Sequence, residues 1–294
     1  MKIYDLPEVD ELDPHGFIEI TNGDSTTSGL TSISDYFYAS ISEGASEPGF
    51  ARRNHFRGKN LGPKLDAFHY SGIQDGSFKD IWIGDYWEDS DGMRWRVVDI
   101  DYYMNAGDYN YNKRHHILVM PDFSIYKTAV NETESYYTLI DKHSWKDVQF
   151  VGDIPAKTKA IADKVFPNQG SLGPTYLDIE EIDAYIRDTN NMPYGSKWTS
   201  SSVKLPNQMM LAASLTNTPS ITTSLIDNNC VNNRQLALFK ITGAEYLKTD
   251  DRFWVRDMVG AYNLVYMENG WVRNSPINKI DDVETGIRPI IIIG

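Results

Sequence analysis

The 294-residue chain has a single cysteine, Cys230, which excludes an intramolecular disulfide framework. No apolar stretch approaches the ~20 residues that a membrane-spanning helix needs, so no membrane partner is expected. The first residues, MKIYDLPEVDELD, lack the apolar core of a secretory signal, and synthesis and folding in a cytoplasm are expected. Basic charge is also scarce: 28 Lys and Arg against 41 Asp and Glu leave a net −13, which argues against nucleic acid as the main partner. G-x-S-x-G, P-loop and dinucleotide fingerprints are absent too. What is present is 41% apolar residues, ample for a core, in a chain long enough for one large domain and a smaller module.

The acidity is unevenly spread. Residues 1–49 hold ten acids against one base, Lys2. Then FARRNHFRGKNLGPK adds Arg52, Arg53, Arg57, Lys59 and Lys64 without an acid. Such a step in charge marks a module boundary, and the basic stretch reads as a solvated collar that pairs with its acidic neighbour. Within the first module FIEIT alternates as a strand does, and Asn22-Gly23 after it signals a hairpin. Some 45 residues bury too little surface to fold alone, so oligomerisation or docking is expected there.

Beyond Gly62 the pattern changes. Pro63, Leu65, Phe68 and Ile73 predict a short helix ending near Gly76. DIWIGDYWEDSDGMRWRVVDIDYY reads as two strands around Asp91-Gly92, and HHILVMPD as a third. Helices are predicted at AKTKAIADKVF and YLDIEEIDAYIRD, and more weakly at VKLPNQMMLAASL. Strands are predicted at QLALFKI, RFWVRDMV, YNLVYME and GIRPIIII. Residues 214–233, rich in Asn, Thr and Ser, read as a long loop. Interspersed strands and helices without a βαβ rhythm point to α+β with a mixed or antiparallel sheet. The run Ile290–Ile293 is β-branched and does not alternate, which fits a strand covered on both faces.

Candidate chemistry is sparse. WEDSDGMRW superficially resembles the start of a calcium loop but lacks its later acids, so it reads as a hairpin turn. His115 and His116 are adjacent on a strand and point to opposite faces, which disfavours a shared metal. Cys230 has no base beside it that would activate a nucleophile. No metal or cofactor is expected. Arg256, Asp257 and Arg288 lie in apolar runs, where buried charge demands carboxylate or carbonyl partners, and read as structural buried charges. Between their strands, YNLVYMENGWVRNSPINKIDD carries Tyr266, Trp271 and Arg273 among Asn and Ser. These are hot-spot residue types, although a surface loop with a half-buried Trp reads the same way.

The order FRGKNLG (56–62), a helix, IWIGDYW, WRVVDIDYY, GD (107–108), HHILVMPD, MMLAAS, QLALFKI, FWVRDMVGA and GIRP (286–289) resembles the DUF6273 domains. These occur in bacteriophage and prophage structural proteins and are related to the C-type lectin-like fold. The resemblance spans 56–294. The opening KIYDLPEVDELDPHGFIEI is similar to the short modules that attach phage tail and head-fibre proteins to the virion. After the PD strand the chain departs from the family, with VNETESYYTLIDKHSWKDVQFVGD in place of a Gly-Gly-Tyr helix start. The family is also akin in fold to formylglycine-generating enzymes, but their cysteine pair has no counterpart here.

The resemblance implies a small β-rich attachment module at 1–45 and a C-type lectin-like binding domain at 46–294. It implies a virion location, partner virion proteins bound through 1–45, a homotrimer, and recognition of a bacterial surface glycan or protein without turnover. The ligand face would lie in the loop-rich segment 262–285, on Tyr262, Asn263, Tyr266, Asn269, Trp271, Arg273 and Asn274. The alternative is a capsid decoration or linker protein with no host ligand.

Overall fold

The computed structural model describes residues 17–21, 28–32, 52–106, 112–128, 154–173, 175–182, 186–187, 193–194, 198–213, 234–249, 251–259, 263–276 and 285–294. The chain divides into two compact units, Met1–Ala51 and Arg52–Gly294. In the first, β1 (Phe17–Thr21) pairs antiparallel with β2 (Ser28–Ser32). The alternating FIEIT thus forms a strand of an antiparallel pair, and the Asn22-Gly23 turn lies outside the described residues.

The second unit is α+β with antiparallel and mixed sheets. Its first half contains α1 (Ala67–Gln74), β3 (Tyr86–Glu88), β4 (Arg94–Ile100), β5 (Ile117–Pro121), β6 (Tyr126–Lys127) and α2 (Ile154–Ala162). Small strands follow: β7 (Ile179–Ile182), β8 (Ile186–Arg187), β9 (Pro193–Tyr194), β10 (Trp198–Ser201) and β11 (Val203–Lys204). Then come α3 (Gln208–Ala212), α4 (Ala237–Thr242), β12 (Phe253–Val259), β13 (Asn263–Glu268), β14 (Trp271–Pro276), β15 (Gly286–Ile287) and β16 (Ile290–Ile293).

Two five-stranded sheets dominate. One runs β11-β16-β5-β4-β3 and is antiparallel throughout. The other runs β14-β13-β12-β15-β6 and is mixed, because β12 and β15 are parallel. Ile290–Ile293 are fully buried between β11 and β5, as a non-alternating apolar run requires. Arg288 and Pro289 separate β15 from β16 and carry the chain from one sheet to the other. Pro289 therefore sits where no ladder hydrogen bond is asked of it. The β3–β4 hairpin forms because the Asp89 carboxylate accepts the amides of Asp91 and Met93, each at 2.9 Å, while Gly92 takes φ +80°.

VKLPNQMMLAASL, predicted as a weak helix, begins as β11 and is helical only at Gln208–Ala212, GIRPIIII is two strands in different sheets, and three further predicted elements differ. The helix expected from Pro63 starts later, where Asp66 caps it by accepting the His69 amide at 2.9 Å. YLDIEEIDAYIRD forms β7 and β8, not a helix. Leu177 and Ile179 are buried while Asp178 and Glu180 are exposed, a period of two that β7 satisfies by pairing with β10. QLALFKI forms α4, not a strand. Leu236 to Phe239 are all buried, so periodicity could not discriminate; the helix-forming Ala, Leu and Lys and a terminal Gly243 at φ +65° decide it.

Candidate functional site

The β13–β14 hairpin turns at Asn269-Gly270, whose φ values of +54° and +80° are those of a two-residue type I′ turn. A Cβ on Gly270 would lie 3.2 Å from the Lys248 Cγ and 3.3 Å from the Ala244 Cβ, so the turn rests closely on that neighbouring segment. Cross-strand pairing sets the two faces. Val265 and Met267 are buried, and Val272, opposite Met267, packs against the core. Glu268 pairs with Trp271, and Tyr266 with Arg273, so these four share the other face.

That face has a firm floor. Trp254 of β12, opposite Tyr266, is buried and donates its indole N–H to the Thr128 carbonyl at 3.2 Å. Tyr266 meets Trp254 edge to face at 6.1 Å, and the Arg252 guanidinium lies 5.9 Å over the Tyr266 ring. On the same face Trp271 is 69% exposed, the most exposed large apolar side chain among the described residues. Arg273 reaches Glu268 at 3.8 Å, with both side chains about half exposed. A flat ring, a guanidinium and a carboxylate are therefore held side by side on a two-stranded ribbon. Such a face can stack on a planar or apolar group and exchange charged hydrogen bonds with a polar one.

Within the segment 262–285, expected to be loop-rich, the described residues 263–276 form a hairpin of two strands, 263–268 and 271–276, while 262 and 277–284 lie outside the described residues. Its Asn269-Gly270 pair carried the signal. Of the predicted ligand residues, the fold brings Tyr266, Trp271 and Arg273 together. Asn269 is exposed in the turn, and Asn274 is exposed but lies on the opposite face, across from Val265. Asn263 is in β13, but its side chain lies outside the described residues, as do Tyr262 and Cys230.

Of the predicted structural charges, Arg256 and Arg288 are buried, and Arg288 has the carbonyl partners that burial demands. Arg288 donates to the Pro121 carbonyl at 2.6 Å and the Tyr246 carbonyl at 2.9 Å, and its guanidinium lies 5.2 Å over the Phe253 ring. Burial pulls its pKa down to about 10. Arg256 is buried, with one guanidinium nitrogen 4.0 Å from the Met210 sulfur. The Asp257 side chain lies outside the described residues.

The basic collar also requires correction, because Arg53 and Arg57 turn inward. Arg57 binds the fully buried Asp85 at 2.6 Å, and Asp85 further accepts the amides of Lys59 and Trp82. Arg53 binds the buried Asp99 at 2.7 Å. A bulge between Val97 and Asp99 resets the register of β4, and the Asp99 carboxylate accepts the first amide of α4, Ala237, at 3.0 Å. Burial pushes the Asp99 carboxyl up, against the pull of Arg53 and Arg234. The signal was an acid inside each apolar run, IGD and VVDI, since a buried carboxylate must find a cation.

His115 and His116 both reach Asp101. The His115 Nδ1 is 2.8 Å from its carboxylate, and the backbone amide of the fully buried His116 donates to the same carboxylate at 3.0 Å. No group of three metal-ligating side chains occurs among the described residues. Likewise, no described helix is long and apolar enough to cross a membrane. No family model matches the chain, and no curated protein or solved structure is similar to it.

Proposed function

We propose that the chain is a bacteriophage virion protein, a head fibre or tail appendage. In this reading the unit Arg52–Gly294 is a C-type lectin-like head that recognises a bacterial surface glycan or protein, and residues 1–45 attach it to other virion proteins as a homotrimer. The carrying observation is Trp271, 69% exposed on a hairpin whose other face buries Val265 and Met267, beside Arg273 and Tyr266. An apolar ring of that size is held in water where a core role would have buried it. The ordered motifs of the sequence support the lectin-like assignment, and so does the last strand, β16, lying inside a sheet as that fold requires. The mechanism is binding without turnover, with weak sites acting together in a multivalent particle.

The test is the double variant Trp271→Ala, Arg273→Ala. Its melting temperature is expected to stay within about 2 °C of wild type, as for exposed substitutions, while attachment to host cells or their purified envelope is lost. A folded double variant that still attaches would move the ligand face elsewhere. A wild-type protein that binds no host envelope, yet is found in the particle, would be a decoration or linker protein.

A further inference from the structure

We infer that β14 is a docking edge for an extended polypeptide strand, so that the ligand of the hairpin face is a protein segment rather than a glycan. The inference rests on the reading of that face as the binding face. β14 is the outermost strand of its sheet, and among the described residues nothing pairs with its outer side.

The two-residue turn fixes which backbone groups point outward. Glu268 and Trp271 flank it and exchange hydrogen bonds with each other, as do Tyr266 with Arg273 and Leu264 with Ser275 two and four residues on. The amides and carbonyls of Val272 and Asn274 alternate with these and face away from β13. Pro276 occupies the next position of the same parity, opposite Asn263, where a residue without an N–H costs the ladder nothing. The outer rim of β14 therefore offers two amides and their carbonyls to an added strand.

The side chains beside that rim specify what would be added. Trp271 and Arg273 stand two apart on one face, so alternate side chains of an incoming strand meet a ring and then a guanidinium. Among the described residues Arg273 pairs only with the half-exposed Glu268, at 3.8 Å, a loose contact that leaves its fork able to take a carboxylate. The matching segment is extended and carries an aromatic or β-branched residue and, two residues along, an Asp or Glu. A second copy of β14 does not match, because WVRNSP holds a base and no acid.

Backbone and side-chain contributions separate with Asn274→Pro, which removes one outward amide but no inward one, and Asn274→Val, which keeps the amide. The probes are a fluorescent octapeptide of alternating Thr and Val bearing Phe and Asp two residues apart, and purified host envelope treated with either protease or periodate. Full-length wild type is expected to bind the peptide, and protease but not periodate is expected to abolish envelope binding. Asn274→Pro should weaken both interactions about tenfold or more, while Asn274→Val binds as wild type. Periodate-sensitive, protease-resistant binding that Asn274→Pro leaves intact would overturn the inference and leave the hairpin face as a glycan site. If Asn274→Pro unfolds the protein while Asn274→Val does not, the amide is needed internally and the edge is not available, which also overturns it. Self-association abolished by Asn274→Pro would assign the edge to a second copy instead. Failure of wild type to bind any envelope would remove the reading of the face itself and the inference with it.

Discussion

Replacing Arg288 with alanine is expected to destabilise the second unit by about 3 kcal/mol. The side chain is 2% exposed, and its two strongest bonds go to the carbonyls of Pro121 and Tyr246 at 2.6 and 2.9 Å. Each carbonyl left buried without a donor costs about 1–3 kcal/mol. Loss of the packed stem beneath the guanidinium adds roughly 2 kcal/mol. Against this, the folded protein no longer has to bury a charge whose pKa burial pulls down to about 10, which returns roughly 3 kcal/mol at about 1.36 kcal/mol per pH decade. All seven tryptophans lie beyond residue 52, so tryptophan fluorescence in urea follows this unit alone. The expected result is a lower midpoint at unchanged slope. Arg288→Met keeps most of the stem and should lose less, about 1 kcal/mol, since only the carbonyls remain to be accounted for. An alanine variant within about 0.5 kcal/mol of wild type would show that both carbonyls reach water and that the guanidinium is not what joins β5 to the turn before β12.

Further outcomes follow from the buried polar groups. His116 donates from Nδ1 to the Arg114 carbonyl and accepts the Tyr103 amide at Nε2, both at 2.9 Å, and burial pulls its pKa from 6.5 down to about 4. The unfolded chain therefore binds the extra proton first: stability is fully present above about pH 6.5 and falls by roughly 3 kcal/mol as pH drops to 4. His116→Gln should flatten that slope in urea midpoints measured across the window; an unchanged slope would assign it to other groups. Asp85→Ala leaves the Arg57 guanidinium buried without its main partner and should cost about 3–5 kcal/mol. The pair Asp85→Leu, Arg57→Met should cost clearly less, and equal losses would mean that the ion pair is not the relevant interaction.

Much of the architecture could be read from the residues. Asp91-Gly92 between aromatic runs, the apolar HHILVMPD and the isoleucine run each have one reading, because turn chemistry and burial on both faces point the same way. Short elements were not legible in this sense. QLALFKI is apolar at consecutive positions and became α4, while the alternation of LDIE was hidden inside a segment with helical spacing. The hairpin at the candidate site was marked by Asn269-Gly270, yet its polar surroundings resembled a loop. Ion pairing was hardest to read, since Arg57 and Asp85 are brought together by β3 pairing with the segment before α1, a contact that no local pattern encodes.

The position of β16 also shapes how the unit assembles. β3, β4 and β5 follow one another in sequence and can zip up early, but the strand that covers the free side of β5 lies about 170 residues away, at Ile291 opposite Val119. Closing a loop of that size is entropically slow, and the partner strands in waiting are ILVMP and IIII, uncharged and β-prone. Until they meet, each exposes an edge to which another molecule's copy can add. The yield of native protein is thus a race between intramolecular closure and intermolecular strand pairing, decided by chain concentration and temperature during synthesis.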